Sequence, residues 1–401
     1  MAKDGSSSAR IPRPALWVGL AVVLAAAGVT AGVLTTRSST PPPRPTPPLT
    51  RAVALGDSVP YGHGLANPYP TPQLGLPSQD VSQGPSTLAY PSLVAHALGL
   101  TMSVRPTNCH LVDDQLAISG AVADASDNTA RDTQCPRPPH QMRNLADEVA
   151  AAGLAAHPAR LVLVQAGADD IDFAACLENE LVRVLGFDMG FGDTCVTNGA
   201  VTPNVAKKLV AVRTSLAATI EELSPHTKTV AVLDYYQPIP QPDQVVDGSV
   251  HSHAGTNLVC TALKSNAGLT AAAAQVVLRA LNGAIAGAVT DAEAHHVDNV
   301  RLIDVSATMN GHGLCTADPW VFSAQGIPVT TFTGDIAKIL AARTCTATDA
   351  IHPSSICRSL QTDALGAVNN FKRYVWRVAH PTADGQRALA LAAERALRAG
   401  R

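Results

Sequence analysis

Between residues 51 and 401 the chain repeats one pattern: a short unbroken apolar run, then a longer stretch in which apolar residues recur every three or four positions. The short runs fall at 52–55, 161–165, 230–234 and 300–305, with a weaker one near 102–105. Their length and their Val/Ile/Leu content predict strands buried on both faces. Helical periodicity covers 90–98, 140–152, 202–223, 269–291 and 383–398. Strands alternating with helices predict a parallel sheet with helices packed on both sides. No internal repeat or composition shift interrupts 51–401, so one domain with loop insertions is expected.

Upstream the pattern changes. Residues 1–14 are polar and include Lys3, Arg10 and Arg13, whereas 15–36 are uncharged and almost wholly apolar. A run of that length matches a helix spanning the hydrocarbon core of a bilayer, and it also matches a long signal-peptide core. The basic flank keeps the N-terminus cytoplasmic, so either a signal anchor or a cleaved signal sends the rest of the chain outside the cytoplasm. Residues 37–50 are rich in proline and read as an extended, semi-rigid spacer.

Composition narrows the function classes only a little. With 46% hydrophobic and 15% charged residues, 51–401 can bury a substantial core. A net charge of -3 gives no footprint for nucleic acid or for an anionic membrane surface. All eight cysteines lie beyond residue 100, with no C-x-x-C pair and no zinc-site spacing. Beyond an export signal, an even count predicts disulfides. Pairing in sequence order is the expectation, because each successive pair encloses one loop between predicted core elements.

Candidate chemistry gathers where predicted strands end. Gly56-Asp57-Ser58 follows the first strand, at the edge where open parallel sheets bind ligands, and its flanking glycines permit a tight turn that leaves a hydroxyl uncovered. Ser119-Gly120-Ala121 lies in a loop between helical stretches. Gly167-Ala168-Asp169-Asp170-Ile171 ends the strand at 161–165, where an aspartate can equally cap a following helix. Near the C-terminus, His380-Pro381-Thr382 leads with Gly385 into the last helix. A histidine titrates near neutrality, which suits a general base for a serine nucleophile.

In this order the four stretches resemble the motifs of the SGNH (GDSL) hydrolase family, in its secreted actinobacterial esterase and lipase branch. The resemblance spans residues 51 to 400 and extends to Asp234-Tyr235-Tyr236 and to Gly311-His312-Gly313-Leu314-Cys315. It implies a three-layer α/β/α, flavodoxin-like fold with disulfide-tied insertions and serine-dependent hydrolysis of acyl esters, with no metal or organic cofactor. Ser58 is then the nucleophile and His380 its base, and the oxyanion hole draws on Ser58, Gly120 and the position of Asp169. The partners implied are an acyl-ester substrate, lipid or acylated glycan, and the membrane through the N-terminal helix.

Two positions depart from the family pattern. Where the family has an asparagine, this chain has Asp169, and an ionised carboxylate accepts hydrogen bonds but cannot donate one to an oxyanion. Three residues before His380, where the family has an acid, stands Arg377. A backbone carbonyl can serve in its place, and so can Asp349 brought across space. The stretch Asp349-Ala350-Ile351-His352-Pro353 also carries the family's Asp-to-His spacing, which makes His352 a competing base. A non-catalytic envelope-binding relative and an acyltransferase using the same serine remain as alternatives. His63, His110 and His312 read as structural or substrate-lining, and Trp320 as core.

Overall fold

The computed structural model describes residues 49–63, 65, 86–102, 144–173, 176, 195–246, 254–322 and 379–399. Chain contacts divide the protein into Met1–Pro47 and Pro48–Arg401, and the architecture below belongs to the second unit. The expected N-terminal tail, apolar helix and most of the proline linker lie outside the described residues. So do His110, Gly120, Asp349, His352, Arg377 and four of the eight cysteines.

Among the described residues, four strands form a parallel sheet in the order β1 (Ala52–Gly56), β2 (Leu161–Gln165), β5 (Val230–Leu233) and β6 (Val300–Ile303). Every residue of β1, β2 and β5 is buried, as continuous apolar runs in a sheet covered on both faces require. Register aligns the strand ends: Gly56 pairs with Gln165, and Leu233 with Ile303. The weak strand expected near 102–105 is represented by one parallel bridge, between Arg51 and Thr101, on the outer side of β1. A two-stranded hairpin, β3 (Val196–Thr197) and β4 (Ala200–Val201), was not foreshadowed by the apolar pattern, because two-residue strands carry no periodicity.

Helices supply the outer layers. Ser58–Tyr61 (α1) and Tyr90–Ala97 (α2) follow β1, and Leu145–Ala152 (α3) precedes β2. Pro203–Leu223 (α4) buries Val205, Leu209, Val212, Leu216, Ile220 and Leu223, a stripe at helical spacing that packs on Ala254–Ala294 (α5). Ala383–Ala399 (α6) packs on α2 and buries Leu389, Ala390, Ala393 and Leu397, while Arg387 and Arg395 face outward. The core is continuous from the sheet into these helices.

The helix expected at 269–291 is longer at its N-terminal end, beginning at Ala254. Gly268 and the polar residues around it mask its period in the sequence. Its segment Ala271–Ala294 is long and apolar enough to cross a membrane by length and composition, yet Leu281, Ile285, Ala288 and Ala292 are wholly buried within the fold.

Two disulfides follow the order expected from the sequence. Cys176–Cys195 joins the segment after β2 to the β3–β4 hairpin, and Cys260–Cys315 joins α5 to the segment after β6. Closing loops of 19 and 55 residues is worth on the order of 3–4 kcal/mol each through the unfolded chain.

Candidate active site

At the end of β1, Gly56 takes φ +127°, and a Cβ there would lie 1.9 Å from the Gln165 carbonyl oxygen. Only glycine lets β1 close on β2 at this point. Asp57 then caps α1. Its backbone N–H donates to the Gln165 carbonyl at 3.1 Å, and its Oδ1 accepts the Val59 N–H at 3.0 Å. Ser58 is thereby the first residue of α1, half-buried, and Gly62 ends the helix in the left-handed region. From α3, the buried Glu148 accepts the Gly56 N–H at 2.6 Å and pins the turn from beneath.

His380 reaches the same place from the other end of the chain. The segment before α6 is held against residues 320–322: Phe322 N–H donates to the His380 carbonyl at 2.8 Å, Ala379 N–H to Phe322 at 3.1 Å, and Thr382 N–H to Trp320 at 2.8 Å. Tyr236 Oη donates to the Ala379 carbonyl at 2.8 Å, and Ala379 adopts φ +76°, an uncommon conformation for a residue with a Cβ. His380 Nε2 lies 2.7 Å from Ser58 Oγ, across 322 residues of sequence. With Nε2 unprotonated, the hydroxyl donates to it. The buried His63 ring sits 4.8 Å from the His380 ring, centre to centre, and the His63 backbone N–H donates to the Ser58 carbonyl at 3.0 Å.

Beneath this pair runs a buried acid–phenol network that joins three strand ends. Tyr235, just past β5, donates through its phenol to Asp57 Oδ2 and accepts the Ala168 N–H at 3.3 Å. Asn282 of α5 fixes the Tyr235 backbone by accepting its N–H at 2.9 Å and donating to its carbonyl at 2.8 Å. Burial raises the Asp57 carboxyl to about 7, aided by the neighbouring Asp170 charge and opposed by the hydrogen bonds from Tyr235 and Val59. Burial, together with the Asp57 charge, pushes the Tyr90, Tyr235 and Tyr236 phenols well above their ordinary value, so they stay protonated and able to donate. Asp234, whose Oδ1 accepts the Val305 N–H at 2.6 Å, is also raised to about 7 by burial.

Asp169 lies in the turn after β2. The Asp172 N–H donates to its carbonyl at 3.1 Å, and its charge adds to the upward shift of the Tyr235 phenol. Residues 168–172 form turns, with Asp172 at φ 53°. His312 and Trp320 stack at 3.5 Å beside the segment that carries His380, and Trp320 is half-buried and packed against the core, as expected. No group of three or more His, Cys, Asp or Glu poised to hold a metal occurs among the described residues.

Glu148, which pins the Gly56 turn, and Gln386, whose Nε2 donates to the Val59 carbonyl at 3.0 Å, carry weight here that motif spacing does not announce. Glu148 and Gln386 do leave a trace in the sequence, since each is a polar residue on the buried stripe of its helix. Tyr235 falls in a stretch the sequence singles out, Asp234-Tyr235-Tyr236, but its link to Asp57 and Ala168 depends on two other strand ends.

No protein-family model and no curated protein matches this sequence. Among solved structures, the chain is similar to an extracellular lipase from Streptomyces rimosus, with 18% identity, TM-score 0.41, and 86% of this chain and 99% of that chain covered. It is also similar to phospholipase A1 from Streptomyces albidoflavus, with 16% identity, TM-score 0.36, and 86% and 100% covered. Function therefore has to be argued from the residues of the site itself.

Proposed function

We propose that this protein is a serine ester hydrolase of the SGNH type working outside the cytoplasm. Ser58 Oγ attacks the acyl carbonyl while His380 Nε2 takes its proton, and the imidazolium then protonates the leaving alcohol. Water, deprotonated by the same imidazole, hydrolyses the acyl-enzyme. Stabilisation of the developing oxyanion is assigned to the Ser58 N–H and, by motif order alone, to Gly120, and Asp169 works against it when ionised. The substrate is an acyl ester, of a lipid or of an acylated envelope glycan, reached from a membrane anchor or as a secreted protein. Disulfides in a chain with an N-terminal export signal support that location.

The main support is the 2.7 Å contact between His380 Nε2 and Ser58 Oγ, which is the nucleophile–base geometry such chemistry needs. A fluorophosphonate probe and a short-chain nitrophenyl ester test it. The wild type should be labelled and active, Ser58→Ala and His380→Ala should lose both properties, and His352→Ala should keep them. A wild type that takes no label would leave the non-catalytic reading standing.

A further inference from the structure

Gln386 lies six residues beyond His380, in the first turn of α6, and is completely buried. Its two amide atoms go to two different elements. Nε2 donates to the Val59 carbonyl, next to Ser58 in α1, at 3.0 Å, and Oε1 accepts the Tyr90 N–H at 2.8 Å. Tyr90 opens α2, a helix whose N-cap residue, Ala89, makes no side-chain capping bond. An exposed N-terminal N–H would find water, but a buried one needs a protein acceptor. The cap for α2 thus comes from 296 residues away.

The same side chain bridges the two pieces of chain that carry the reacting pair. On the α6 side, residues 379–382 are already bound to 320–322, and a Cβ on Gly385 would lie 2.3 Å from the Trp320 carbonyl, so α6 and the His380 segment move as one piece. On the α1 side, Asp57 and Glu148 lock the turn that carries Ser58 to the sheet. Gln386 joins the first piece to the second beside the nucleophile. At the far end of α6, Arg398 donates to the Ala97 carbonyl at 2.9 Å, a separate tie from α6 to α2 that is exposed and remote from the pair.

We infer that Gln386 is a positioning residue: its buried amide sets the Ser58–His380 separation by tying the histidine-bearing helix to the nucleophile's helix. The inference rests on the esterase reading above and adds to it a residue that touches neither substrate nor reacting atoms. A displacement of about 1 Å transmitted from outside the chemistry can cost on the order of a hundredfold in rate. A residue needed only for folding would change the folded fraction and leave the rate per folded molecule alone.

The test uses the full chain and three variants, with fluorophosphonate labelling and ester turnover measured per folded molecule. Gln386→Met removes both hydrogen bonds and should lower labelling and kcat about tenfold to a hundredfold, with KM little changed. Gln386→Glu provides the second readout. While protonated it can still donate to Val59, and once ionised it cannot, so its rate relative to wild type should fall as pH rises. Arg398→Ala loosens α6 at the far end and should lower the melting temperature while leaving labelling within twofold. A folded Gln386→Met that labels within twofold of wild type would overturn the inference. So would a Gln386→Glu ratio that is flat with pH, or an Arg398→Ala loss as large as that of Gln386→Met. If Gln386→Met does not fold, the pH dependence of Gln386→Glu decides alone. A wild type that takes no label defeats the esterase reading itself, and this inference with it.

Discussion

At the end of β1 the chain passes through Gly56 at φ +127°, and one strand over, at the end of β2, it passes through Gly167 at φ +124°. What surrounds the two glycines differs. A Cβ on Gly56 would strike the Gln165 main chain at 1.9 Å, whereas one on Gly167 would meet the tips of Val212 and Leu281 at 3.0 and 3.2 Å. The first turn is shaped by the sheet itself and presents a hydroxyl. The second is shaped by side chains of α4 and α5 and presents a carboxylate. Main chain cannot yield locally and side chains can, so the turn that carries Ser58 is the rigid one and the turn that carries Asp169 is the adjustable one. Tyr235 joins them through Asp57 and the Ala168 N–H.

Substituting the glycines is the severest way to break this contrast. Gly56→Ala should cost more than about 4 kcal/mol and leave little soluble folded protein. Gly167→Ala should fold with a loss of about 1–3 kcal/mol, from strain at positive φ and mild overpacking. Thermal melts of the two purified variants check this, and equal losses would erase the distinction.

Next in size is the chemistry the second turn presents. Asp169→Asn replaces an acceptor by a donor, and one oxyanion donor is typically worth about a hundredfold to a thousandfold in rate. Ester turnover should therefore rise at least about tenfold. Unchanged turnover would mean that the carboxylate is no handicap where it sits.

The last effect is read against pH and sharpens the role of the link between the turns. Asp57 is held at about 7 against an ordinary 3.8, so between those values the folded chain keeps a proton that the unfolded chain has released. That contribution to stability is complete below about pH 4 and is lost as pH rises through about 7. Asp57→Asn removes it, so the melting temperature of the variant relative to wild type should climb between about pH 4 and pH 8. Asp234, also at about 7, supplies the slope that remains. A difference that does not vary with pH would show that Asp57 titrates normally.

The elements and the order of the motifs were legible in the sequence because they depend on local period and on turn chemistry. Continuous apolar runs gave β1, β2, β5 and β6 to within two residues, and a three-to-four spacing gave α4 and α6. The Gly56-Asp57-Ser58 turn could be read because a glycine, a capping acid and a short helix act within a few residues of one another. Tertiary structure alone decided that Ser58 and His380 come within hydrogen-bonding distance. It also decided that Asp57 holds its proton to near neutrality and that a glutamine of the last helix caps the second. Each of these depends on burial and on partners tens to hundreds of residues away, where no periodicity in the chain can point.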